Sequence, residues 1–391
     1  MGMNEPSNTP STDVKNPFLH DATAPQYDDG GYQFQRFERL IFTGTAAAYF
    51  KIYFVNILLI LVTLGIWVPW ARVRQRRYFY SNTRILGDGL DYLATGFDLL
   101  KGWLLALAVI VTFYVIPFFP IEILFFQEAL SFGLVLAYPW ALNKSLQFNA
   151  RNLVWRDVRF TWHGTYWGVF WSMFAAPLLG LLSLGIFMPM ASRIMRHYIA
   201  EHYSFGSKQF EISSSIAEFY RVGGQTFLLL MAGGLLTLGP VFLVSFGALD
   251  FISRATGSIE IHNNPQVISM VSGIFLSLIT VIVLFVVVTT YYRAGTRNLM
   301  INGLRLDKTI LFRSEISGFR LALIVLQNMF VSVASLTLLL PWARVRYYRY
   351  LTENTFIRPN SDMAQFIDDE RDAGHSVGDA ISETAGLEIS L

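Results

Sequence analysis

Three proline-containing segments carry residue types that could bind an anion at a membrane surface. They read TLGIWVPWARVRQRR (63–77), SLGIFMPMASRIMR (183–196) and LTLLLPWARVRYYR (336–349). Arginines clustered beside a membrane can bind anionic headgroups or phosphates. Proline also stops a helix, tryptophan prefers the headgroup level and arginine marks the cytoplasmic side. The motif therefore predicts a helix terminator with an interfacial anchor, and its arginines are candidate anion ligands.

Two asparagines inside apolar runs extend this candidate site. Asn56 and Asn328 each lie thirteen residues before a motif proline, so they occupy equivalent positions. Polar groups in such runs cost free energy unless they are partnered, so they either join helices or line a path. The predicted ligand- or lipid-binding residues are Arg72, Arg74, Arg344, Arg346, Asn56 and Asn328, and the predicted interfacial anchors are Trp70, Trp140 and Trp342.

No signature of catalysis is found in the sequence. It has no Walker A loop, no GxSxG and no HExxH motif. The absence of cysteine excludes disulfides and thiolate metal sites. His197 and Glu201 are four residues apart, a spacing that a solvated helix end explains better than a metal site. We therefore expect a protein that is not an enzyme, holds no cofactor or metal and binds no nucleic acid.

The composition is typical of a membrane protein. Of the 391 residues 53% are hydrophobic and 15% are charged, whereas soluble domains average about 25% charged residues. A helix that spans a bilayer needs roughly 20 apolar residues. Five stretches meet that length and two more come close: Ala46–Trp70, Tyr166–Met190, Phe227–Leu249, Val267–Tyr292 and Leu321–Trp342, then Trp103–Pro120 and Ile121–Leu142.

The same elements recur along the chain. Each motif proline is followed thirteen residues later by Asn82, His202 or Asn354, and Asn152 and Asn298 have similar surroundings. The segments after them alternate apolar and polar residues, which is typical of short strands. Such self-similarity indicates an internal repeat. The predicted fold is an all-α polytopic membrane protein of about seven hydrophobic helices, with short β-hairpins in the basic loops.

The predicted domain boundaries follow this repeat. We expect a disordered N-terminal tail (1–33), two membrane repeats (34–163 and 164–317), a final membrane helix with a basic end (318–357) and a disordered acidic tail (358–391). The acidic tail has eight carboxylates after Asn360 and no apolar periodicity. Segments of that kind cannot bury enough apolar surface to fold alone.

The charges of the loops leave two topologies open. Basic loops lie at both ends of the first, fourth and seventh apolar segments, whereas cations should collect on the cytoplasmic side. Either the repeats are inverted relative to each other, or these three segments are re-entrant, with breaks at Gly65, Gly180 or Gly185. The re-entrant alternative keeps every basic loop on one side.

With these motifs in place, the chain resembles the YjgN-type family of bacterial inner-membrane proteins, whose biochemical activity is not established. The resemblance is carried by residues 49–92, by FNARNLVWRDVRFTWHGTY (148–166) and by LLPWARVRYYRYL (339–351). It implies a multi-pass protein of the inner membrane of a Gram-negative-type bacterium and supplies no catalytic residues. The chain departs from the pattern at Met190, at His202 and at TLLL (337–340), where tryptophan, asparagine and glycine are expected.

Two functions fit these observations. The first is a transport-class protein, such as a channel, a carrier or a lipid-handling module, for an anionic or amphipathic ligand. The second is a non-transporting scaffold that recruits partners through its tails. Membrane lipids are the expected partners, and GTYWG (164–168) has the GxxxG spacing of a possible homo-oligomer face.

Overall fold

The structure, a computed structural model, describes residues 36–115, 126–254, 265–307, 309–359 and 365–372. The chain divides into two units, Met1–Gln33 and Phe34–Leu391, and every described residue belongs to the second. The predicted N-terminal tail lies outside the described residues, as do most of the predicted acidic tail and the end of the predicted helix Trp103–Pro120.

The described helices follow one another in pairs. They are α1 (Ala46–Val62), α2 (Val68–Ser81), α3 (Gly96–Val115), α4 (Phe126–Arg151), α5 (Tyr166–Val169), α6 (Ala176–Leu182), α7 (Met188–His202), α8 (Ile216–Arg254), α9 (Pro265–Gly303), α10 (Gly318–Ala334), α11 (Leu340–Glu353) and α12 (365–372). A π-helical turn, Phe170–Ala175, joins α5 to α6, so that Tyr166–Leu182 is one continuous helical rod.

Eleven short strands lie between the helix pairs. They are β1 (Glu38–Arg39), β2 (Ile41–Phe42), β3 (Thr83–Ile85), β4 (Asp88–Tyr92), β5 (Leu153–Trp155), β6 (Val158–Trp162), β7 (Tyr203–Phe205), β8 (Lys208–Ile212), β9 (Leu304–Leu306), β10 (Ile310–Ser314) and β11 (Thr355–Arg358).

These strands form one antiparallel sheet in the order β1-β11-β10-β9-β8-β7-β6-β5-β4-β3-β2. Its two edge strands are neighbours in the chain, separated by Leu40 alone. β1 pairs with β11, and β2 pairs with β3. The segment 38–42 therefore joins the first strands to the last and closes the sheet into a ring.

The predicted all-α fold of about seven membrane helices is wrong. The alternating segments do not form separate hairpins, because each also pairs with a strand from a neighbouring part of the chain. Among the described residues, Val271–Gly303 is the one helix long and apolar enough to cross a membrane. Ala46–Val62, Tyr166–Leu182 and Gly318–Ala334 are apolar but have 17 residues each, or about 25 Å against a hydrocarbon core of about 30 Å.

The repeat consists of five units in which a strand, a helix pair and a second strand follow one another. Unit 1 runs from β2 to β3, unit 2 from β4 to β5, unit 3 from β6 to β7, unit 4 from β8 to β9 and unit 5 from β10 to β11. In every unit the backbone N–H just before the first helix donates to the carbonyl at the end of the second. These bonds are Thr43–Asn82, Leu93–Asn152, His163–His202, Ser213–Gly303 and Glu315–Asn354, all 2.9 to 3.0 Å long.

A Ser or Thr begins the first helix in every unit. Thr45, Thr95, Thr165, Ser215 and Ser317 each stand two residues after the N–H donor of their unit. Thr45, Thr165 and Ser317 accept a hydrogen bond from the N–H three residues on. In units 2 and 4 the carboxylates of Asp98 and Glu218 accept from the N–H groups of Thr95 and Ser215, at 2.8 and 2.9 Å. This is the arrangement of a capping box.

The motif prolines begin helices rather than end them. Pro69, Pro189 and Pro341 occupy the first turn of α2, α7 and α11, where a missing N–H costs nothing. The preceding helices end earlier, at turns with positive φ angles such as Gly65 at 91° and Gly185 at 89°. Both ends of each short pair therefore meet the sheet, and the motif arginines lie on the returning helix. Gly180 lies inside α6 and makes no break.

The inside of the ring is an apolar core that the tail completes. Its buried members are Leu90, Trp155, Val158, Phe205, Leu306, Ile310, Ile357 and Ile367. Ile367 belongs to α12, inside the tail that the composition predicts to be disordered. The pair Phe366–Ile367 supplies the apolar surface that holds this segment against the strands.

Candidate functional site

A groove runs between α10 and α11 of unit 5 and the chain segment that closes the ring. It consists of two adjoining cavities of about 580 and 440 Å³ that share Gln327, Trp342 and Arg346. One end is basic and is lined by Arg39, Arg320, Arg346 and Arg349 together with Glu353. The other end is apolar and is lined by Leu326, Phe330, Val331 and Trp342.

Three different elements bring the arginines together. Arg39 lies on β1, Arg320 in the first turn of α10, and Arg346 and Arg349 on α11. The last two share a helix face because they are three residues apart. One carboxylate, Glu353, lines this end; it lies 3.9 Å from Arg349, and its carbonyl accepts from Arg39 Nε. The basic end therefore has more cations than anions.

Arg346 stands at the junction of the two ends. Its guanidinium donates to Gln327 Oε1 at 2.6 Å and lies 5.2 Å from the ring of Trp342. Stacking on the tryptophan ring stabilises the positive charge of Arg346 and fixes the orientation of its guanidinium group. The charged end of an amphipathic molecule could bind here, with its apolar part lying along Phe330 and Val331.

The structure places two of the predicted residues, Arg346 and Trp342, in this groove. Arg344 points away from it, donating to Tyr49 Oη and to Gln75 Oε1 at 3.3 Å each. It joins units 5 and 1 across the point where the ring closes.

The predicted arginines of unit 1 lie outside the groove. Arg74 donates to Asn56 Oδ1 at 3.4 Å and lies 5.2 Å from the ring of Trp67. Arg72 is exposed and has no polar partner in the part of the chain that the structure describes. The four predicted arginines therefore do not form a single site.

The two asparagines hold helix pairs together. Asn56 on α1 is buried and accepts from Arg74 and from Trp67 Nε1, both at 3.4 Å. Asn328 on α10 donates to the carbonyl of Ala343 at 2.9 Å, and its Oδ1 is buried without a partner among the described residues. Each amide therefore makes a hydrogen bond between the first and second helix of its unit.

The other two predicted anchors have different surroundings. Trp70 stacks on Trp67 at 5.2 Å and contacts the edge of Phe97. Trp140 is 48% exposed and follows Pro139 within α4. Their positions relative to a membrane stay a prediction.

Sequence reasoning missed Arg39, Arg320 and Arg349. Arg349 could have been found, because it follows Arg346 by three residues in the same basic segment of the motif. Arg39 could not, because more than 300 residues separate it from α11 and only the pairing of β1 with β11 brings the two together. Among the described residues, no group of His, Asp and Glu is arranged to hold a metal ion.

Comparison with known proteins gives a family and a set of relatives. The chain is 25% identical over 374 residues to the inner membrane protein YjgN of Salmonella typhimurium, covering 85% of this chain and 91% of that protein. It is 22% identical over 371 residues to the inner membrane protein YjgN of Escherichia coli K12, and the match covers 84% of this chain and 91% of that protein. No solved structure matches. Residues 37–384 match the DUF898 family, described as bacterial proteins of unknown function. The YjgN-type resemblance is thereby confirmed, and the chain belongs to the DUF898 family.

Proposed function

We propose that this protein is a non-enzymatic, transport-class protein of the bacterial inner membrane that binds an anionic amphipathic ligand in the groove. The observation that carries this is the continuity of the four-arginine end with the apolar end. Phosphate esters bind arginine forks well, and an acyl chain suits the apolar end. The names of the relatives support the location.

The arrangement of the units supports a multi-pass topology in which the sheet faces the cytoplasm. All five helix pairs begin and end at strands of the one sheet, so every basic segment lies at the same face. That distribution agrees with the enrichment of cations in cytoplasmic loops. In this topology the short pairs of units 1, 3 and 5 enter the bilayer and return, and α9 of unit 4 crosses it through Val271–Gly303.

Lipid binding can be tested with matched variants of two equivalent arginines. Arg346 and Arg74 occupy the same place in units 5 and 1, but Arg346 alone of the two lines the groove. We expect Arg346→Gln with Arg320→Gln to lower retention of phosphatidylglycerol over phosphatidylcholine by about tenfold or more, the usual effect of losing charge-assisted hydrogen bonds. Arg74→Gln should not change it. Native mass spectrometry of the detergent-solubilised protein measures the bound lipid.

Equal phosphatidylglycerol retention by all these variants would contradict the proposal. The scaffold alternative is tested by deleting residues 1–33 and 373–391, which leaves α12 in place. A lipid-binding protein should keep its selectivity after this deletion. A scaffold should instead lose its association with partner proteins, and its lipid selectivity should not depend on Arg346.

A further inference from the structure

Counting back six residues from the end of each helix pair gives one position in every unit. The reference residues are those whose carbonyls accept the bonds described above, Asn82, Asn152, His202, Gly303 and Asn354. The positions six residues earlier are Arg76, Leu146, Arg196, Arg297 and Tyr348. We call these five residues the seam layer. Three of the five residues are arginines. All five lie on the second helix of their unit, six residues before the reference residue.

The four polar members of the seam layer contact the next unit around the ring, and Leu146 packs against a cluster shared by units 2 and 3. Arg76 donates to Tyr92 Oη at 2.8 Å and to Asn149, both in unit 2. Leu146 packs against the cluster that contains Trp162 of unit 3. Arg196 donates to Thr296 Oγ1 in unit 4 at 2.8 Å.

The last two members continue this pattern and close the ring. Arg297 donates to Ser314 Oγ and Thr355 Oγ1 in unit 5, at 2.9 and 3.1 Å. The hydroxyl of Tyr348 is 2.9 Å from Thr83 Oγ1 of unit 1. The same position therefore joins successive units all the way round.

The polar members of the seam layer interact electrostatically with residues of other units. Arg297 of unit 4 interacts electrostatically with Arg196 of unit 3 and with Tyr348 of unit 5. Tyr80 of unit 1 interacts with Arg76, with Tyr348 and, across unit 2, with Tyr203 of unit 3.

These three arginines have no acidic partner among the described residues. Their bonds go to hydroxyls, to an amide and to the sulfur of Met300, and the buried Nε of Arg196 has no acceptor there. Some other cations of the chain are paired with carboxylates. Examples are Arg156–Asp88 at 2.5 Å, Arg313–Glu315 at 2.6 Å and Lys208–Asp307 at 3.2 Å.

We propose that the seam layer contains an anion site that takes a phosphate-type oxyanion between Arg196 and Arg297. Cations removed from water need a counter-charge, and Arg196 and Arg297 are close enough to repel each other. An oxyanion between them would satisfy the free Nε and share the guanidinium forks. Rings of arginine select anions in pores by the same chemistry. The site is separate from the groove, because no member of the seam layer lines either of its two cavities.

The test measures thermal unfolding of the purified full-length chain in neutral detergent, by tryptophan fluorescence. Sodium phosphate is compared with sodium chloride at equal ionic strength. We expect phosphate to raise the unfolding midpoint, and Arg196→Gln and Arg297→Gln each to raise the half-saturating phosphate concentration by about tenfold or more. Arg293→Gln is the control, because Arg293 is exposed on α9 one turn before Arg297. Arg196→Lys, which keeps the charge, is measured in case a glutamine variant does not fold.

A second arm replaces free phosphate with a lipid headgroup. The protein is placed in phosphatidylcholine nanodiscs with or without phosphatidylglycerol. Stabilisation by the lipid but not by phosphate, lost in Arg297→Gln, would identify a lipid phosphate as the anion. Arg346→Gln should leave the stabilisation by free phosphate intact, because Arg346 lines the groove and does not belong to the seam layer. The proposal is overturned if neither anion stabilises the protein, or if the stabilisation persists in Arg196→Gln and Arg297→Gln.

Discussion

At the scale of single residues, chemically different side chains perform one task at the ends of the returning helices. Asn82, Asn152 and Asn354 donate through Nδ2 to the carbonyl four residues earlier, at 2.6 to 2.8 Å. In unit 3, His202 Nδ1 lies 2.9 Å from the carbonyl of Tyr198 and takes the same role. The histidine that departs from the sequence pattern is therefore a functional substitute, because its Nδ1 stands where the amide nitrogen of asparagine would.

Tyr203 makes the stability of the protein sensitive to alkaline pH. Burial, which removes water from the charged phenolate, and to a smaller extent the nearby Tyr80 together raise the pKa of Tyr203 to about 12. Because the pKa is higher in the folded state, the neutral Tyr203 contributes its full stability below pH 10. That contribution is lost as the pH rises from 10 to about 12.

We expect Tyr203→Phe to remove this pH dependence. The free energy of unfolding of the unsubstituted protein should fall relative to that of Tyr203→Phe by about 2 kcal/mol between pH 9 and 12. Denaturant titrations of both proteins in neutral detergent measure the difference. If the difference between the two free energies of unfolding does not change with pH, Tyr203 is accessible to water in the folded state.

At the scale of elements, the tips of the three short helix pairs share one backbone design. The side-chain oxygens of Thr63, Ser183 and Ser335 accept from the N–H four residues on, at 2.9 to 3.1 Å. Two residues with positive φ follow each of them: Leu64–Gly65, Leu184–Gly185 and Leu336–Thr337. Glycine tolerates positive φ at little cost, so it suits the second position of this turn in units 1 and 3.

Thr337 is the strained member of this set. A β-branched residue rarely adopts positive φ, and Thr337 has a φ of 70° where the other copies have glycine. We expect Thr337→Gly to raise the free energy of unfolding by about 1 kcal/mol, and Gly65→Ala to lower it by a similar amount.

Thr337→Ala is the control for this pair. It removes the hydroxyl but keeps a Cβ at the same φ, so it should not give the gain seen with glycine. Denaturant titration measures all three variants. A Thr337→Gly protein that is no more stable than Thr337→Ala would show that the turn relaxes without strain.

At the scale of the whole molecule, the tail helix α12 completes the core of the ring. Glu370 is 8% exposed and accepts from the N–H and the hydroxyl of Ser207 at 2.6 and 2.5 Å. Arg371 lies 3.8 Å from Asp157, on the neighbouring turn. These contacts hold α12 to the β5–β6 and β7–β8 turns while Ile367 enters the core.

We expect Glu370→Gln to destabilise the protein by about 1–3 kcal/mol, because it weakens charge-assisted bonds in a buried place. Ile367→Ala should cost about 2–4 kcal/mol through the cavity it leaves. Asp369→Asn is the matched control, since Asp369 is exposed on the same helix. If all three variants unfold at the same denaturant concentration, α12 does not contribute to the core.

The sequence by itself determined the local features of this protein. Hydropathy identified the apolar segments, and the recurring proline motif identified three of the five units. The similar surroundings of Asn152 and Asn298 indicated the other two units. These positions could be found because each depends on a few neighbouring residues. The role of the proline was predicted wrongly, because it begins the return helix and does not end the outgoing one.

Only the tertiary structure decided how these parts combine. The strands are two to five residues long, too short for alternation to show which strand pairs with which. The closure of the ring through residues 38–42 depends on pairing β1 with β11, and no neighbouring residue signals that pairing. For the same reason Arg39 lines one groove with Arg346, and Arg196 interacts electrostatically with Arg297. The groove and the seam layer exist because the ring brings distant residues together, which one sequence read locally does not encode.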